Sequence, residues 1–140
     1  MEIKKILVTL DGSKHAEKGL DIAISLVKES KRSIVGLFVK PHSVDSLRYG
    51  DTFSGHQNEI VEKIFQNLRE KCEKNNVMFS TEVRTGDVKK IIEKIANDTY
   101  MNIDMIIIGS RGRGSVKGTI LGSVSKYVLD KSKIPVLIVK

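Results

Sequence analysis

Met105-Ile106-Ile107-Ile108-Gly109-Ser110-Arg111-Gly112-Arg113-Gly114-Ser115-Val116-Lys117-Gly118-Thr119-Ile120-Leu121-Gly122-Ser123-Val124-Ser125-Lys126-Tyr127-Val128-Leu129 is the segment around which this chain is organised. A short apolar run bounded by glycine reads as a buried strand. Glycine, serine and three cations follow, and apolar residues then return at helical spacing at Val124, Tyr127 and Val128. The segment is therefore strand, glycine-rich loop, helix. Glycine lacks a Cβ, so it allows a tight turn and a close backbone approach to a ligand. The unsatisfied N–H groups at the start of the helix, with the helix dipole, favour an anion at the same place. Arg111, Arg113 and Lys117 add positive charge, and no Asp or Glu lies between Gly109 and Ser123. The loop reads as a phosphate cradle, with a ligand-free surface loop as the alternative.

The rest of the chain supplies a matching frame. Ile6-Leu7-Val8-Thr9-Leu10 is nearly continuously apolar, as in a strand covered on both faces. Asp11-Gly12-Ser13 breaks it, and Ser13 is placed to cap a helix whose apolar face carries Ala16, Leu20, Ala23, Ile24 and Val27. Ser33 to Val39 reads as a second strand, stopped by Pro41. Pro41 to Gly55 has little pattern and is expected to be a mobile connection, with no helix assigned to it. Ser54 and Gln57 have capping-box spacing, and Ile60, Val61, Ile64, Phe65, Leu68 and Cys72 form the next helical stripe. Asn75-Asn76 marks a turn before a third strand, Val77 to Arg84, with Val77, Phe79, Thr81 and Val83 in partial alternation. Asp87 is a good N-cap for a helix with Val88, Ile91, Ile92, Ile95 and Ala96 on one face. After the central segment, Ile134 to Val139 reads as a last strand with Pro135 at its start or on an edge.

Five strands alternating with helices imply an α/β fold: an open five-stranded parallel sheet with helices on both faces, Rossmann-like, over residues 1–140 as one domain. Such sheets bind ligands beyond the carboxyl ends of their strands, where the strand order reverses. Asp11, Val39 and Gly109 all fall at such ends.

Composition sets bounds. The 140 residues are 40% hydrophobic and 29% charged, an ordinary globular balance. Lys plus Arg is 24 against 17 Asp plus Glu, a formal +7, which favours anionic partners without choosing among them. Arg84 to Lys140 holds 11 basic and 5 acidic residues, so six of the seven excess charges accompany the loop half of the chain. Lys89, Lys90 and Lys94 are expected to lie on a solvated helix face. The single cysteine, Cys72, allows no internal disulfide, suits a reducing compartment and reads as a small core residue. No apolar run approaches the roughly 20 residues that span a bilayer. A cytoplasmic protein without membrane attachment is expected.

The spacing Gly109, two residues, Gly112, nine residues, Gly122-Ser123 resembles the ATP-binding signature of the universal stress protein family. Ile6-Leu7-Val8-Thr9-Leu10-Asp11-Gly12-Ser13, Val83-Arg84-Thr85-Gly86-Asp87 and Ile134-Pro135-Val136-Leu137-Ile138-Val139 are similar to further parts of that family, so the resemblance covers nearly the whole chain. It implies strand order 3-2-1-4-5, with the switch point between strands one and four. It also implies a site for ATP with magnesium. Thr9, Leu10 and the backbone at Val39 would line the adenine. Asp11 would accept from ribose hydroxyls or sit near a phosphate-bound metal, with a turn or cap carboxylate as its alternative. Gly109 and Gly112 would let the backbone approach ribose and phosphates. Gly122, Ser123, Val124 and Ser125 would bring amide N–H groups, and the two serine hydroxyls, to the phosphates. Arg111 and Arg113 vary within the family, so their role rests on charge alone. The family's dimers imply a homodimer through the last strand, Val136 to Val139, with a covered edge strand in a monomer as the alternative.

Other readings fit less well. A Walker P-loop needs Gly-Lys-[Ser/Thr], and here Lys117-Gly118-Thr119 has the lysine misplaced. The dinucleotide fingerprint fails at Lys117. A receiver domain needs clustered acids where Asp11 stands alone. His15, His42 and His56 show no metal-ligand spacing, and Ser123 has no identifiable base. The expectation is a regulatory, stress-response ATP binder with slow or no hydrolysis. A slow ATPase at the same site, or a nucleotide-independent basic module for nucleic acid or protein, are the alternatives. One Arg-Gly-Arg-Gly copy without an aromatic platform argues against nucleic acid.

Overall fold

The computed structural model describes residues 1–42, 51–112 and 121–140, with the backbone alone for 51–57. Five strands, β1 (Lys5–Thr9), β2 (Ser33–Lys40), β3 (Met78–Thr85), β4 (Met105–Gly109) and β5 (Val136–Val139), form one parallel sheet in the order β3-β2-β1-β4-β5. Among the described residues, the helices are α1 (Lys14–Val27), α2 (Asp51–Lys74), α3 (Val88–Ala96) and α4 (Ser123–Lys131). The expected fold class and strand order are therefore observed.

Successive strand residues point to opposite faces, and both faces are covered, which is why the central strands are apolar without interruption. Ile6, Val8 and Leu10 face a core shared with Leu20, Ala23, Ile24 and Val27 of α1 and Leu68 and Cys72 of α2. Leu7 and, from β4, Ile106 and Ile108 face the other core, with Ile92, Ile95 and Ala96 of α3 and Val128 of α4. Helix starts follow the local chemistry. Ser13 Oγ accepts from Ala16 N at 3.2 Å, and Asp87 Oδ1 accepts from Lys90 N at 3.3 Å, each satisfying an orphan helical donor. Gly36 in β2 leaves room for Leu68, whose Cδ1 occupies the space a β-carbon would need.

Some boundaries differ from expectation. Helix α2 begins at Asp51, inside the segment expected to be a connection and ahead of the Ser54 capping box. Apolar periodicity starts only at Ile60, so the largely polar opening turns left no trace in the pattern; residues 43–50 of that connection lie outside the described residues. Strand β3 is an edge strand, and its burial does not alternate: Phe79 and Glu82 are half-buried, while Val83 is exposed. Pro135 sits immediately before β5, where its carbonyl accepts from Ile106 N at 2.9 Å and no N–H is missed. Cys72 is fully buried, and burial, with the charge of Glu73 in support, pushes its thiol up to about 11. Lys90 and Lys94 are exposed as expected, but Lys89 Nζ lies 5.5 Å from the Tyr127 ring centroid, a cation–π distance. The Tyr127 hydroxyl donates to Glu93 at 2.7 Å, and that bond raises its pKa.

Candidate functional site

The chain leaves β1 for strands on one side and β4 for the strand on the other, so the β1 and β4 ends diverge and open a crevice. Leu10 N still bonds Leu37 O at 2.8 Å, holding the β1 end to β2, while the segment after β4 turns toward β5, where Ser110 N donates to Val139 O at 2.7 Å. The crevice holds a cavity of about 420 Å³, within the size range of small-molecule sites.

Every predicted site residue that the structure describes lies on its wall. The β1 end contributes Thr9, Leu10 and Asp11, and β2 contributes Val39. Gly109, Arg111 and Gly112 come from the end of β4 and the loop root. Gly122, Ser123, Val124 and Ser125 come from the start of α4. Arg113 and Lys117 lie outside the described residues.

The local geometry explains how the loop is held. Ser110 is almost fully buried, and its carbonyl accepts from Gly122 N at 2.6 Å and from Ser125 Oγ at 2.8 Å. The two ends of the glycine-rich excursion are thus pinned together at its base. Ser110 Oγ and His15 Nδ1 lie 3.2 Å apart, tying the same point to α1. Ser125 also points its hydroxyl at Gly122 O, 3.0 Å away, and is buried. Its hydroxyl proton is directed to internal carbonyls, which differs from the phosphate-facing role the resemblance implied; its amide N–H remains part of the helix start. The N-cap of α4 is Gly122, which has no side chain to cap with, in contrast to Ser13 at α1 and Asp87 at α3. The amides of Ser123, Val124 and Ser125 occupy the first turn, where an α-helix offers no internal acceptor, so this positive helix end faces the cavity.

One of the glycines is required by the protein's own packing. A β-carbon on Gly109 would stand 2.8 Å from His15 Cβ and 3.1 Å from Ala16 N. One on Gly112 would meet only the carboxylate of Asp11, a side-chain end that can turn aside. Asp11 itself accepts from Ser13 N at 2.9 Å through Oδ1, so the turn role given as its alternative is present. Among the described lining residues only Asp11 and Arg111 carry charge.

Sequence reasoning missed the far wall. Pro41 lies just past β2, Ile60 comes from α2, and Val88 and Ile92 come from α3. Each apolar helix position was assigned to its core stripe. Periodicity does not distinguish a stripe residue over the sheet from one overhanging its end.

This is an open α/β scaffold with a crevice at its switch point and a helix start on the crevice wall. Residues 2–140 match the family model described as the universal stress protein family, and the chain belongs to that family. It is 31% identical to universal stress protein YxiE of Bacillus subtilis, over 97% of this chain and 98% of that one. It is 31% identical to universal stress protein MJ0577 of Methanocaldococcus jannaschii, over 98% and 94% of the two chains. The solved structure of MJ0577 superposes with a TM-score of 0.89 at 28% identity, covering 100% of this chain and 97% of that one. The Arabidopsis thaliana family protein At3g01520, solved with AMP bound, shares the fold at 19% identity, with a TM-score of 0.70 over 98% and 93% of the chains. No helix among the described residues is long and apolar enough to cross a membrane.

Proposed function

We propose that this chain binds an adenine nucleotide, ATP with magnesium, in the switch-point crevice, and acts as a nucleotide-dependent regulatory protein with slow or no turnover. The observation that carries the reading is convergence. Eleven residues from separate segments, chosen for an ATP site, line one cavity with an uncapped helix start on its wall. That another chain of this fold holds AMP agrees with it.

The residues fit the chemistry. Val39, Pro41, Val88 and Ile92 make an apolar wall suited to a base, whose polar edge would be met by main-chain groups at the β2 end. Asp11 stands where ribose hydroxyls or a phosphate-bound magnesium would need an acceptor. The amides of Ser123, Val124 and Ser125 receive phosphate oxygens, and Gly112 keeps a side chain out of their path. Magnesium would neutralise phosphate charge. Among the described lining residues there is neither a lysine to stabilise a transferring phosphoryl group nor a histidine to position water, which supports binding over turnover.

The test is the mass of nucleotide released when freshly purified protein is denatured, followed by calorimetric titration with ATP and magnesium. Near-stoichiometric ATP is the expected result. The control is Gly122→Asp. The N-cap backbone is extended, with φ −71°, and an added β-carbon meets Ser110 O at 3.4 Å, ordinary contact. The carboxylate would cap the first-turn amides itself, changing stability by only a few tenths of a kcal/mol, while occupying the place of a phosphate. ATP binding should disappear in that variant. Recovered ADP, with phosphate release abolished by Gly122→Asp, would turn the account toward an ATPase. Wild-type protein that binds no adenine nucleotide would refute it.

A further inference from the structure

We infer that Arg111 sets the phosphate-number preference of the crevice, making it a site for nucleoside di- and triphosphates over monophosphates. The inference rests on the nucleotide reading above. Arg111 directly follows Ser110, whose amide and carbonyl are fixed by bonds to Val139, Gly122 and Ser125. Its Cα lies 3.6 Å from where a β-carbon on Gly122 would sit, so its backbone abuts the start of α4. Arg111 lines the cavity and is half-buried.

No acceptor pairs with its guanidinium among the described residues. Ion pairs elsewhere join Lys71 to Asp21 at 2.7 Å and Glu17 at 3.3 Å, and Arg84 to Glu82 at 2.6 Å. The other charged lining residue, Asp11, holds the Ser13 amide. A half-buried arginine with no hydrogen-bonded acid among the described residues is free to take an anion, and its planar fork matches phosphate oxygens.

The helix start and Arg111 differ in kind. Three first-turn amides carry partial charge and suffice for one phosphoryl group. Each further phosphate brings formal negative charge, which magnesium offsets in part and a cation on the cavity wall can offset further. Arg111 is that cation among the described lining residues. A monophosphate seated on the amides has no phosphate left for it, whereas a diphosphate or triphosphate does.

The experiment is calorimetry of adenosine, AMP, ADP and ATP with wild type, Arg111→Gln, Arg111→Lys and Arg113→Gln at several salt concentrations, with thermal melts to verify folding. Wild type should bind ADP and ATP more tightly than AMP. Arg111→Gln should weaken ADP and ATP about tenfold or more, as expected for loss of a charged hydrogen bond, and should change adenosine and AMP less than about twofold. Arg111→Lys, which keeps the charge without the fork, should fall between. Equal losses for all four ligands would make Arg111 a wall residue and overturn the inference. So would an unchanged ATP-to-AMP ratio, or a matching loss in Arg113→Gln that salt erases, the mark of diffuse loop charge. If wild type binds none of the four, the nucleotide reading fails, and the role of Arg111 with it.

Discussion

Gly109→Ala should destabilise the fold, because the crowding at this glycine comes from the protein itself. The new carbon would lie 2.8 Å from His15 Cβ and 3.1 Å from both Ala16 N and the His15 carbonyl carbon. Carbon atoms in good contact sit about 3.5–4.0 Å apart. The clashing atoms are backbone and Cβ, so no rotamer change relieves them. The first turn of α1 would have to move, yet it is held by the Ser13 cap and the His15–Ser110 contact. One turn further on, a β-carbon at Gly19 would meet Ile107 Cγ2 at 3.3 Å, so α1 also lies close on β4 there. Overpacking of this kind costs about 1–3 kcal/mol. Alanine restricts the unfolded chain and returns about 0.4–1 kcal/mol. A net loss of about 1–2 kcal/mol remains, or roughly 3–10 °C in melting temperature for a chain of this size. Urea unfolding should show a lower midpoint with an unchanged slope. A variant as stable as wild type that has lost nucleotide affinity would refute the packing argument and leave close ligand approach as the reason for the glycine.

Two further expectations can be checked directly. Below pH 9.0 the Cys72 thiol is protonated in both folded and unfolded chains, and its contribution is fully present; as pH rises from there through about 11 the unfolded chain ionises first, so stability should fall. Urea midpoints across that window should decline more steeply in wild type than in Cys72→Ala, and an equal slope would refute the assignment. We also expect a homodimer through the outer edge of β5, giving a light-scattering mass of twice the 15.6 kDa chain; a monomer across a wide concentration range would exclude it.

Much of the fold was legible because its determinants are local and repeated. Apolar runs at Ile6–Leu10 and Met105–Ile108 mark strands covered on both faces, and Ser13 and Asp87 announced the helices they cap. The candidate site was legible in outline because glycines and a helix start follow one strand directly. The largely polar opening turns of α2 were not, since a stretch without an apolar stripe carries no periodic signal. Nor was the fate of the Ser125 hydroxyl, which depends on a carbonyl fifteen positions away.

From sequence alone came the alternation of strands and helices, the loop with its cations, and the family resemblance. These depend on spacing along the chain, which sequence states outright. Tertiary structure decided what distance in the chain conceals. Pro41, Ile60, Val88 and Ile92 form the wall opposite the loop because helices α2 and α3 overhang the sheet end. Gly109 is needed by the backbone of His15 and Ala16, whatever a ligand requires. Arg111 stands at the cavity without a partner among the described residues because Ser110, pinned from three sides, fixes the point from which it departs. Each of these follows from which residues share a space, and a linear spacing holds no record of that.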